Sequence, residues 1–363
     1  MQCGDIGPCL HGEPKLQEKS MSSDIVRTGV IGCGGIAQHA HLPSILRNPK
    51  EQLVAVSDSF EDLARKIAVL NGLKETDAYA DYRALLERKD IDAVTVCAWT
   101  GVHAEIVVAA LQAGKHVLVE KPMAVTSDDA RQMVQAADST GRTLMIAYNH
   151  TYDLATEYVG RMLKTGELGD ILYAEVFFCE DHGAWDAGAY RSTVRSATPV
   201  KPGTRPTDPY IQLLHYVHNF DSHVINLMRV LIGEPKGIEY AKWIPKSGLW
   251  AMLDYGTYKT FFKNVETGQR RFEKGIEIYG RNKRVRLDLA PPSQRYTPGV
   301  VTITDAQSQT VTTPMLEYRW PFELEHEHFS QCVLEGKQPL TNGHQALPDV
   351  VMAEDLARLA LKQ

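Results

Sequence analysis

Short apolar runs alternate with helix-like stretches along the first part of the chain. The apolar runs are Val30-Ile31, Leu53 to Val56, Ala93 to Ala98, Val117 to Val119 and Leu144 to Ala147. Runs of this length are typical of buried parallel strands, and the stretches between them are long enough for crossover helices. We therefore predict an α/β domain over residues 25–150, built on a doubly wound parallel sheet that binds ligands at the carboxyl ends of its strands.

The pattern changes after residue 151 to alternating, aromatic-rich runs separated by glycine or polar turns. These runs lie near residues 171–179, 237–244, 250–262, 275–280, 283–288 and 300–313. Few helices separate them, apart from helix-like stretches near 152–163 and 215–231. Alternation with short turns is typical of antiparallel strands that bury one face. Residues 151–345 are thus predicted to form an α+β domain.

The first apolar run leads into a glycine-rich turn suited to a dinucleotide. Gly32-Cys33-Gly34-Gly35-Ile36-Ala37 has the pattern G-x-G-x-x-A between a strand and a helix. Gly32 permits the tight turn, Gly34 lets the backbone approach a pyrophosphate, and Ala37 lets the helix pack on the strand. Gly35 and Ile36 lead into the helix, whose amino end attracts phosphate charge. All five residues are predicted to bind a dinucleotide.

Asp58 ends the second apolar run, 21 residues after Ala37. A carboxylate there can accept hydrogen bonds from the adenosine ribose hydroxyls and would repel a 2′-phosphate. Serines flank Asp58 and no arginine does. NAD is therefore favoured over NADP. The alternatives are a simple turn aspartate and a basic residue brought in from elsewhere in the chain.

Composition and charge narrow the function classes. The 363 residues suit two domains, and a net charge of −6 gives no reason to expect nucleic acid or an anionic membrane as a partner. Six cysteines lie far apart without a C-x-x-C pair, which favours reduced thiols in a cytoplasmic protein. No apolar run has the roughly 20 residues of a membrane helix. Residues 1–24 lack the apolar centre of a signal peptide and are predicted to be a disordered extension.

Two positions at the ends of later strands have candidate chemistry. Val117-Leu118-Val119-Glu120-Lys121-Pro122 places Lys121 at the ligand-facing end of a buried strand, with a solvated turn as the alternative. Trp99 follows the run that ends at Ala98. Its ring could flank the nicotinamide half of a dinucleotide or simply pack.

Residues 25–150 resemble the Gfo/Idh/MocA family, which includes glucose-fructose oxidoreductase and inositol dehydrogenase. The resemblance rests on the glycine turn, on His103 and on Ala113-Gly114-Lys115-His116-Val117 followed by Glu120-Lys121-Pro122. It implies that Lys121 lies beside the nicotinamide and takes part in substrate binding and proton transfer, with His103 and Glu120 on the cofactor side. It also implies that Asn149 faces both cofactor and substrate, while His150 is either solvated or a ligand contact.

The resemblance brings a second stretch, the helix-like residues 215–231, into the same site. Alignment on Leu231-Ile232-Gly233-Glu234-Pro235 matches His223 with the family's catalytic histidine and Asn219 with a catalytic aspartate. Asparagine can orient a hydroxyl but cannot raise the basicity of the histidine. Proton transfer is therefore assigned to His223 and substrate orientation to Asn219.

Other polar residues of the helices leave alternatives open. Asp221 points away from His223 on an ideal helix, and its role is left open. A shifted alignment would promote His218. Asn226 matches a usual aspartate of the family. Without a carboxylate or cysteine at ligand spacing, the histidines predict no metal. His326 and His328, near the end of the chain, are expected to be surface or packing residues.

A long stretch with little predicted structure precedes residue 215. It contains Trp185, and four basic residues lie between 191 and 205. Loops of this length are usually functional or mobile. We expect the loop to close over the substrate, with Trp185 as an apolar wall for a sugar ring, or to form an arm that reaches a neighbouring subunit.

The resemblance also implies the rest of the architecture and the activity. A large open, mainly antiparallel sheet would form a homodimer or homotetramer, and a C-terminal helix over 346–363 would pack back on the first domain. The implied reaction transfers a hydride between a secondary hydroxyl of a sugar, cyclitol or sugar derivative and NAD, while His223 accepts the hydroxyl proton and Lys121 hydrogen-bonds the same oxygen. The alternatives are an NAD-dependent glycosidase that oxidises its sugar transiently and a dinucleotide sensor without turnover.

Overall fold

Two sheets, each with its own helices, organise the protein. The computed structural model describes residues 24–180, 193–198, 206–269 and 272–362. One sheet has six strands and the other has eight within these residues. Among the described helices, none combines the length and apolar composition needed to span a bilayer. Trp185 lies outside the described residues, as do the N-terminal extension and most of the basic loop.

The first sheet is parallel throughout, which confirms the predicted doubly wound arrangement. Its strands are β1 Val26–Ile31, β2 Glu51–Ser57, β3 Ala78–Tyr79, β4 Ala93–Val96, β5 His116–Glu120 and β6 Leu144–Ala147. Their order is β3-β2-β1-β4-β5-β6, and every neighbouring pair is parallel. The order reverses between β1 and β4, which opens a crevice at the carboxyl ends of these strands.

Helices cover both faces of the first sheet. They are α1 Leu42–Arg47, α2 Glu61–Leu70, α3 Tyr82–Leu86, α4 His103–Gln112 and α5 Ser127–Thr140. Every residue of β4 and β6 is buried as a result. Local sequence fixes the ends of α5, because the Thr126 side chain accepts a hydrogen bond from the Asp129 amide and Gly141 closes the helix at a φ of 64°.

The second sheet is large, open and mainly antiparallel, as the resemblance implied. Its strands are β7 Ile171–Glu180, β8 Gly237–Ile244, β9 Gly248–Asp254, β10 Lys259–Glu266, β11 Phe272–Gly280, β12 Lys283–Asp288, β13 Val300–Asp305 and β14 Thr310–Thr312. Their order is β14-β13-β12-β11-β7-β10-β9-β8, and β7 and β10 are parallel. This confirms the predicted fold class.

Two runs predicted as single strands are hairpins. The run near 250–262 turns at Gly256, which has a φ of 85° and donates its amide to Asp254 Oδ1 at 2.7 Å. The run near 300–313 turns after Asp305, whose Oδ1 accepts hydrogen bonds from the amides of Gln307 and Ser308 at 3.0 Å each. Short aspartate turns of this kind interrupt a strand without interrupting its apolar alternation.

The remaining helices are α6 Leu154–Lys164, α7 Pro209–Tyr216, α8 Ser222–Ile232, α9 Pro321–Glu335 and α10 Gly343–Ala360. Residues of α6, α8 and α10 share one buried core with the inward face of the second sheet, including Val176 and Phe178. The opposite face presents a row of rings, in which Tyr173 lies 5.9 Å from Phe261 and 5.4 Å from Tyr279 between ring centroids.

The last two helices also contact the first sheet. Phe329 of α9 is buried with Val26 and Leu118. Glu354 of α10 accepts hydrogen bonds from the Ser127 amide at 2.8 Å and from Ser127 Oγ at 3.0 Å. The end of the chain thus ties the two sheets together.

Two helical stretches contain a π-turn, in which one extra residue widens the helix. One π-turn spans Ala37–His41 before α1, and the other spans Val217–Asp221 between α7 and α8. Such turns occur often at functional sites. Both lie beside the site described next.

Candidate functional site

The glycine turn after β1 has the geometry that the sequence predicted. Gly32 adopts a φ of 93°, and a Cβ atom there would lie 2.7 Å from the backbone of Cys97 and Ala98. Only glycine fits this position without strain. A Cβ at Gly34 would meet nothing within 4 Å, so the Gly34 backbone is open to a ligand. Ala37 is fully buried, which lets its helix pack closely on β1.

Asp58 joins the end of β2 to this turn. Its Oδ2 accepts the Cys33 amide at 2.8 Å, and its Oδ1 accepts the Phe60 amide at 2.9 Å. A carboxylate oxygen has two acceptor positions, so each oxygen keeps one for a ribose hydroxyl. Asp58 therefore both braces the glycine turn and presents negative charge where a ribose would lie.

A cavity of about 1410 Å³ opens above these residues. The sequence-predicted residues that line it are Gly32, Gly34, Gly35, Ile36, Asp58 and Trp99. The Trp99 side chain is 73% exposed, and its ring lies against Gly101, where a Cβ would come within 2.1 Å of it. The open glycine backbone and the cavity's size fit a dinucleotide, with Trp99 as a wall of the cavity.

Residues 193–198, which we call the strap, lie across this cavity. Gln38 exchanges two hydrogen bonds of 2.9 Å with the backbone of Val194. Asp62 accepts Ser196 Oγ at 2.6 Å and the Ala197 amide at 2.8 Å. The cavity is also lined by Thr193, Val194, Arg195, Ser196 and Thr198. The described part of this loop thus lies on the cavity, and its closure over the substrate or its reach to a neighbouring subunit stays a prediction.

The turn after β5 positions Lys121. The Lys121–Pro122 peptide bond is cis, and buried His103 braces the turn from behind, with Nδ1 3.0 Å from Pro122 O and Nε2 2.9 Å from Ala98 O. Glu120 also points inward, since its Oε2 accepts the Lys121 amide at 3.0 Å and its Oε1 lies 2.8 Å from His41 Nε2. His103 and Glu120 therefore support the turn from within the domain.

Lys121 reaches toward the second domain. Its Nζ donates to the backbone oxygen of Asn219 at 3.2 Å. Asn219 lies in the second π-turn and is exposed, and it meets Lys121 through its main chain. The structure thus brings the lysine turn and the histidine helix together.

Two buried histidines complete this cluster. The ring centroids of His150 and His223 are 5.0 Å apart, and Tyr148 lies 6.0 Å from His223. Both ring nitrogens of His150, Nδ1 of His223 and both amide atoms of Asn149 are buried without a hydrogen-bond partner among the described residues. Buried polar atoms of this kind are costly unless a ligand or water satisfies them.

Burial keeps both rings neutral. Desolvation lowers the pKa of His223 well below its ordinary value, and the charges of Lys121, Lys274 and His150 lower it further. Burial, followed by the charges of Lys274 and Lys121, likewise depresses the pKa of His150. A neutral imidazole can accept a proton, so either ring can serve as a base at neutral pH.

Sequence reasoning missed Lys274 and left the role of Asp221 open. Lys274 is buried on β11, with its ammonium 4.0 Å from the centre of the Phe178 ring. The π-turn buries Asp221, whose Oδ1 accepts Asn264 Nδ2 at 2.6 Å, and burial raises the pKa of Asp221 to about 8. The available signal was a lysine in the apolar register of a strand, on the same side as Phe272 and Ile276.

Two other polar residues of the histidine stretch have structural contacts. His218 Nε2 lies 2.9 Å from the Val125 carbonyl oxygen. Asn226 accepts Thr151 Oγ1 at 2.7 Å and donates to Asp349 on α10 at 2.8 Å. No group of three or more histidine, cysteine or acidic side chains in the described ranges could hold a metal ion.

Comparison with known proteins agrees with this geometry. The model of an oxidoreductase family with an NAD-binding Rossmann fold matches residues 26–148. Inositol 2-dehydrogenase of Pseudomonas savastanoi pv. phaseolicola is 35% identical over 150 residues, which cover 40% of this chain and 44% of that enzyme. The alignment therefore spans less than half of this relative's length.

Solved structures extend the likeness to the second domain. A 3-ketoreductase from Actinomadura kijaniata in complex with NADP and TDP-benzene has a TM-score of 0.74 at 21% identity, and the alignment covers 92% of this chain and 98% of that one. Levoglucosan dehydrogenase in complex with NADH has a TM-score of 0.76 at 18% identity, with 93% and 97% covered. At these identities the likeness establishes the two-domain fold.

Proposed function

We propose that the chain, whose residues 26–148 match the model of an oxidoreductase family with an NAD-binding Rossmann fold, transfers a hydride between a nicotinamide cofactor and a secondary alcohol carbon of a sugar, cyclitol or sugar derivative. The observation that carries the proposal is the convergence of Lys121, His150 and His223 beside buried polar atoms without described partners. By their names, two of the similar proteins are dehydrogenases of inositol and of levoglucosan, and the third is a ketoreductase.

The chain's own residues would manage the proton and the position of the reacting oxygen. His223, neutral through burial, accepts the hydroxyl proton, and the Lys121 ammonium donates a hydrogen bond to the same oxygen. The Asn149 amide and the His150 ring are suited to hold neighbouring hydroxyls. The nicotinamide supplies the hydride chemistry when it is bound. The side chain of Asn219, to which the sequence assigned substrate orientation, is exposed, and its backbone oxygen is the atom that accepts Lys121 Nζ.

The dinucleotide would lie in the large cavity, held by the residues of the glycine turn and by Asp58. We propose NAD as the preferred cofactor, because a 2′-phosphate next to the Asp58 carboxylate would be repelled. Arg83 also lines the cavity, but it is paired with Glu105 at 2.6 Å and is therefore partly neutralised. The named structures do not decide the choice, since one holds NADP and the other NADH.

The exposed face of the second sheet supports an assembly of two or four copies. The rings of Tyr173, Phe261 and Tyr279 form a contiguous apolar row there. A second copy of the sheet would cover this row. Light scattering of the full chain, with Phe261→Glu as the disrupting variant, tests this assembly.

The decisive experiment is a panel of polyols and sugar ketones assayed with NAD, NADP and their reduced forms. We expect reduced cofactor to form in proportion to the substrate oxidised. Glycoside cleavage without net reduced cofactor would instead establish the redox-assisted glycosidase. Tight dinucleotide binding without turnover over the whole panel would establish the sensor.

A further inference from the structure

Four buried side chains behind the Lys121 turn form one unbranched chain of hydrogen bonds. Glu120 Oε1 lies 2.8 Å from His41 Nε2, His41 Nδ1 lies 2.9 Å from His326 Nε2, and His326 Nδ1 lies 3.0 Å from Glu51 Oε2. All four residues are buried, and they come from β5, the first π-turn, α9 and β2. We call this chain the relay. Four separate segments supply it, so its geometry depends on how α9 packs against the first domain.

The number of protons in the relay follows from its three links. Each link needs one shared proton, and two neutral imidazoles bring only two. The Glu51 carboxylate already accepts Thr28 Oγ1 at 2.9 Å and Asn48 Nδ2 at 3.3 Å, and Glu120 accepts the Lys121 amide at 3.0 Å.

Both Glu51 oxygens thus already accept a donor, and although burial raises the pKa of Glu120, its contacts with His41 and Lys121 bring that pKa below the ordinary value, so both groups are best suited to accept in the relay. We therefore place the third proton on a ring, which gives the relay two negative charges and one positive charge. Burial lowers the pKa of His41, and the bond to Glu120 and the charges of Glu120 and Glu51 act against this effect of burial.

We propose that the relay holds one mobile proton, shared between His41 and His326, and that it adjusts the charge behind Lys121 during the reaction. When the His326 Nε2–H bond breaks and a His41 Nδ1–H bond forms, the positive charge moves from the Glu51 end to the Glu120 end. No proton enters or leaves, so the step is balanced. His41 and His326 are thus positioning residues that act through Glu120.

The link to catalysis rests on the proposed function. Hydride transfer changes the nicotinamide ring by one unit of charge, and Lys121 is the residue proposed to lie beside that ring. While the nicotinamide ring is positive, the shared proton is more favourable on His326, because His326 is one link farther from Glu120 and Lys121 in the relay than His41 is. Once the ring is neutral, the proton is more favourable on His41. Charge shifts of this kind matter in a buried site, where solvent screens them little.

The ionisable groups around the relay determine whether it carries the negative charge behind the Lys121 turn. Burial, followed by the charge of Glu120, raises the pKa of Glu325 well above its ordinary value, so this carboxyl is neutral. Burial also raises the pKa of the Cys97 thiol, and it lowers the pKa of His103. Glu325 and Cys97 are therefore uncharged near neutral pH, and the charge of Lys121 acts on Glu120.

Nitrogen and proton NMR of the histidine-labelled full chain tests the relay without any turnover. We expect strongly deshielded protons for the ring-to-ring and ring-to-carboxylate hydrogen bonds. We also expect the nitrogen shifts of His41 and His326 to lie between those of a neutral and a protonated ring and to remain there above neutral pH. His326→Gln should abolish these signals, whereas His328→Gln, two residues along the same helix, should leave them. Two neutral rings that titrate separately would overturn the relay, whatever the outcome of the substrate panel.

Kinetics then tests the coupling to the reaction. We expect Glu51→Gln to lower kcat about 10-fold, as loss of a supporting outer hydrogen bond does at other sites, with KM for substrate and cofactor within about 2-fold. The kcat of this variant should also become pH-dependent where that of the natural chain is flat. If Glu51→Gln instead weakens cofactor binding and lowers the melting temperature while the pH profile of kcat stays unchanged, the role of Glu51 is merely structural and the proposal is overturned.

Discussion

The dinucleotide cavity and the histidine cluster are built in opposite ways. The cavity is wide, and it is lined by backbone at Gly34, a partly paired carboxylate at Asp58 and an exposed ring at Trp99. The cluster is buried, and its key atoms on Asn149, His150 and His223 have no described partner. A cavity lined by backbone can bind a ligand common to many enzymes, whereas a cluster of buried side chains sets the chemistry. Variants of the two regions should therefore have separable effects.

The largest effect is expected from the cluster. Lys121→Ala and His223→Gln should each lower kcat by roughly 10²–10⁴-fold, because each removes a proposed proton-handling group. Cofactor affinity should stay within about 3-fold, since neither residue lines the cavity. Steady-state kinetics and a dinucleotide titration check both values, with His344→Gln on the protein surface as the control. A parallel loss of cofactor binding would contradict the separation of the two regions.

The buried carboxyl of the cluster should make stability pH-dependent. The pKa of Asp221 is about 8 in the folded chain, against 3.8 for the ordinary group. The stability that Asp221 contributes is therefore fully present below about pH 4 and is lost as the pH rises toward 8. Asp221→Asn should remove this loss and stabilise the protein by a few kcal/mol near pH 8.

Denaturant unfolding at pH 5 and at pH 8.5 measures this change in the free energy of unfolding. Asp128→Asn, on the exposed surface of α5, is the control. An unchanged pH dependence in Asp221→Asn would mean that Asp221 is ionised in the folded protein.

A change in the cavity should alter cofactor choice and spare the chemistry. Asp58→Asn keeps an oxygen for the Cys33 or Phe60 amide but removes the charge. We expect kcat/KM for NAD to fall about 10-fold and that for NADP to rise by a similar factor, with kcat for the better cofactor nearly unchanged. Ser59→Ala, the next residue in the cavity wall, serves as the control. If the preference between NAD and NADP is unaltered, Arg83 or the strap, and not Asp58, determines which cofactor binds.

The smallest effect is expected at the strap. Gln38→Ala combined with Asp62→Ala removes four of the hydrogen bonds that join the strap to the first domain and leaves the one between His39 and Thr193. The dissociation rate of reduced cofactor should rise about 10-fold, because these bonds hold the strap rather than the cofactor, so only about 1.4 kcal/mol of their combined energy is expected in the barrier to release. Stopped-flow displacement measures this rate, and Lys66→Ala, which removes another partner of Asp62, is the control. An unchanged rate would mean that the strap does not limit release.

The ease of predicting each region from sequence follows the same division. The glycine turn and Asp58 act within one short βαβ unit, so their spacing alone predicted where they lie. The parallel and antiparallel sheets followed from the two kinds of apolar pattern. The short edge strand β3, the parallel pairing of β7 with β10 and tight aspartate turns such as the one at Gly256 were overlooked.

The cluster could be anticipated only through the family resemblance, because Lys121 and His223 are far apart in sequence. Lys274 was overlooked because a lone charged residue in a strand gives no hint of its neighbours. The role of Asp221 was left open for a different reason. An ideal helix turns it away from the site, and the extra residue of the π-turn was not foreseeable from the helical pattern.

The two π-turns set the direction in which the side chains on either side of them point around the helix axis. Deleting one residue from 37–41 or from 217–221 would restore ordinary α-helical geometry and rotate the side chains on one side by about 100° relative to the other. His41 would then turn away from Glu120, or Asp221 from Asn264, although every contacting residue was still present. In alignments of relatives, a one-residue gap at either place would therefore signal altered chemistry more strongly than many substitutions.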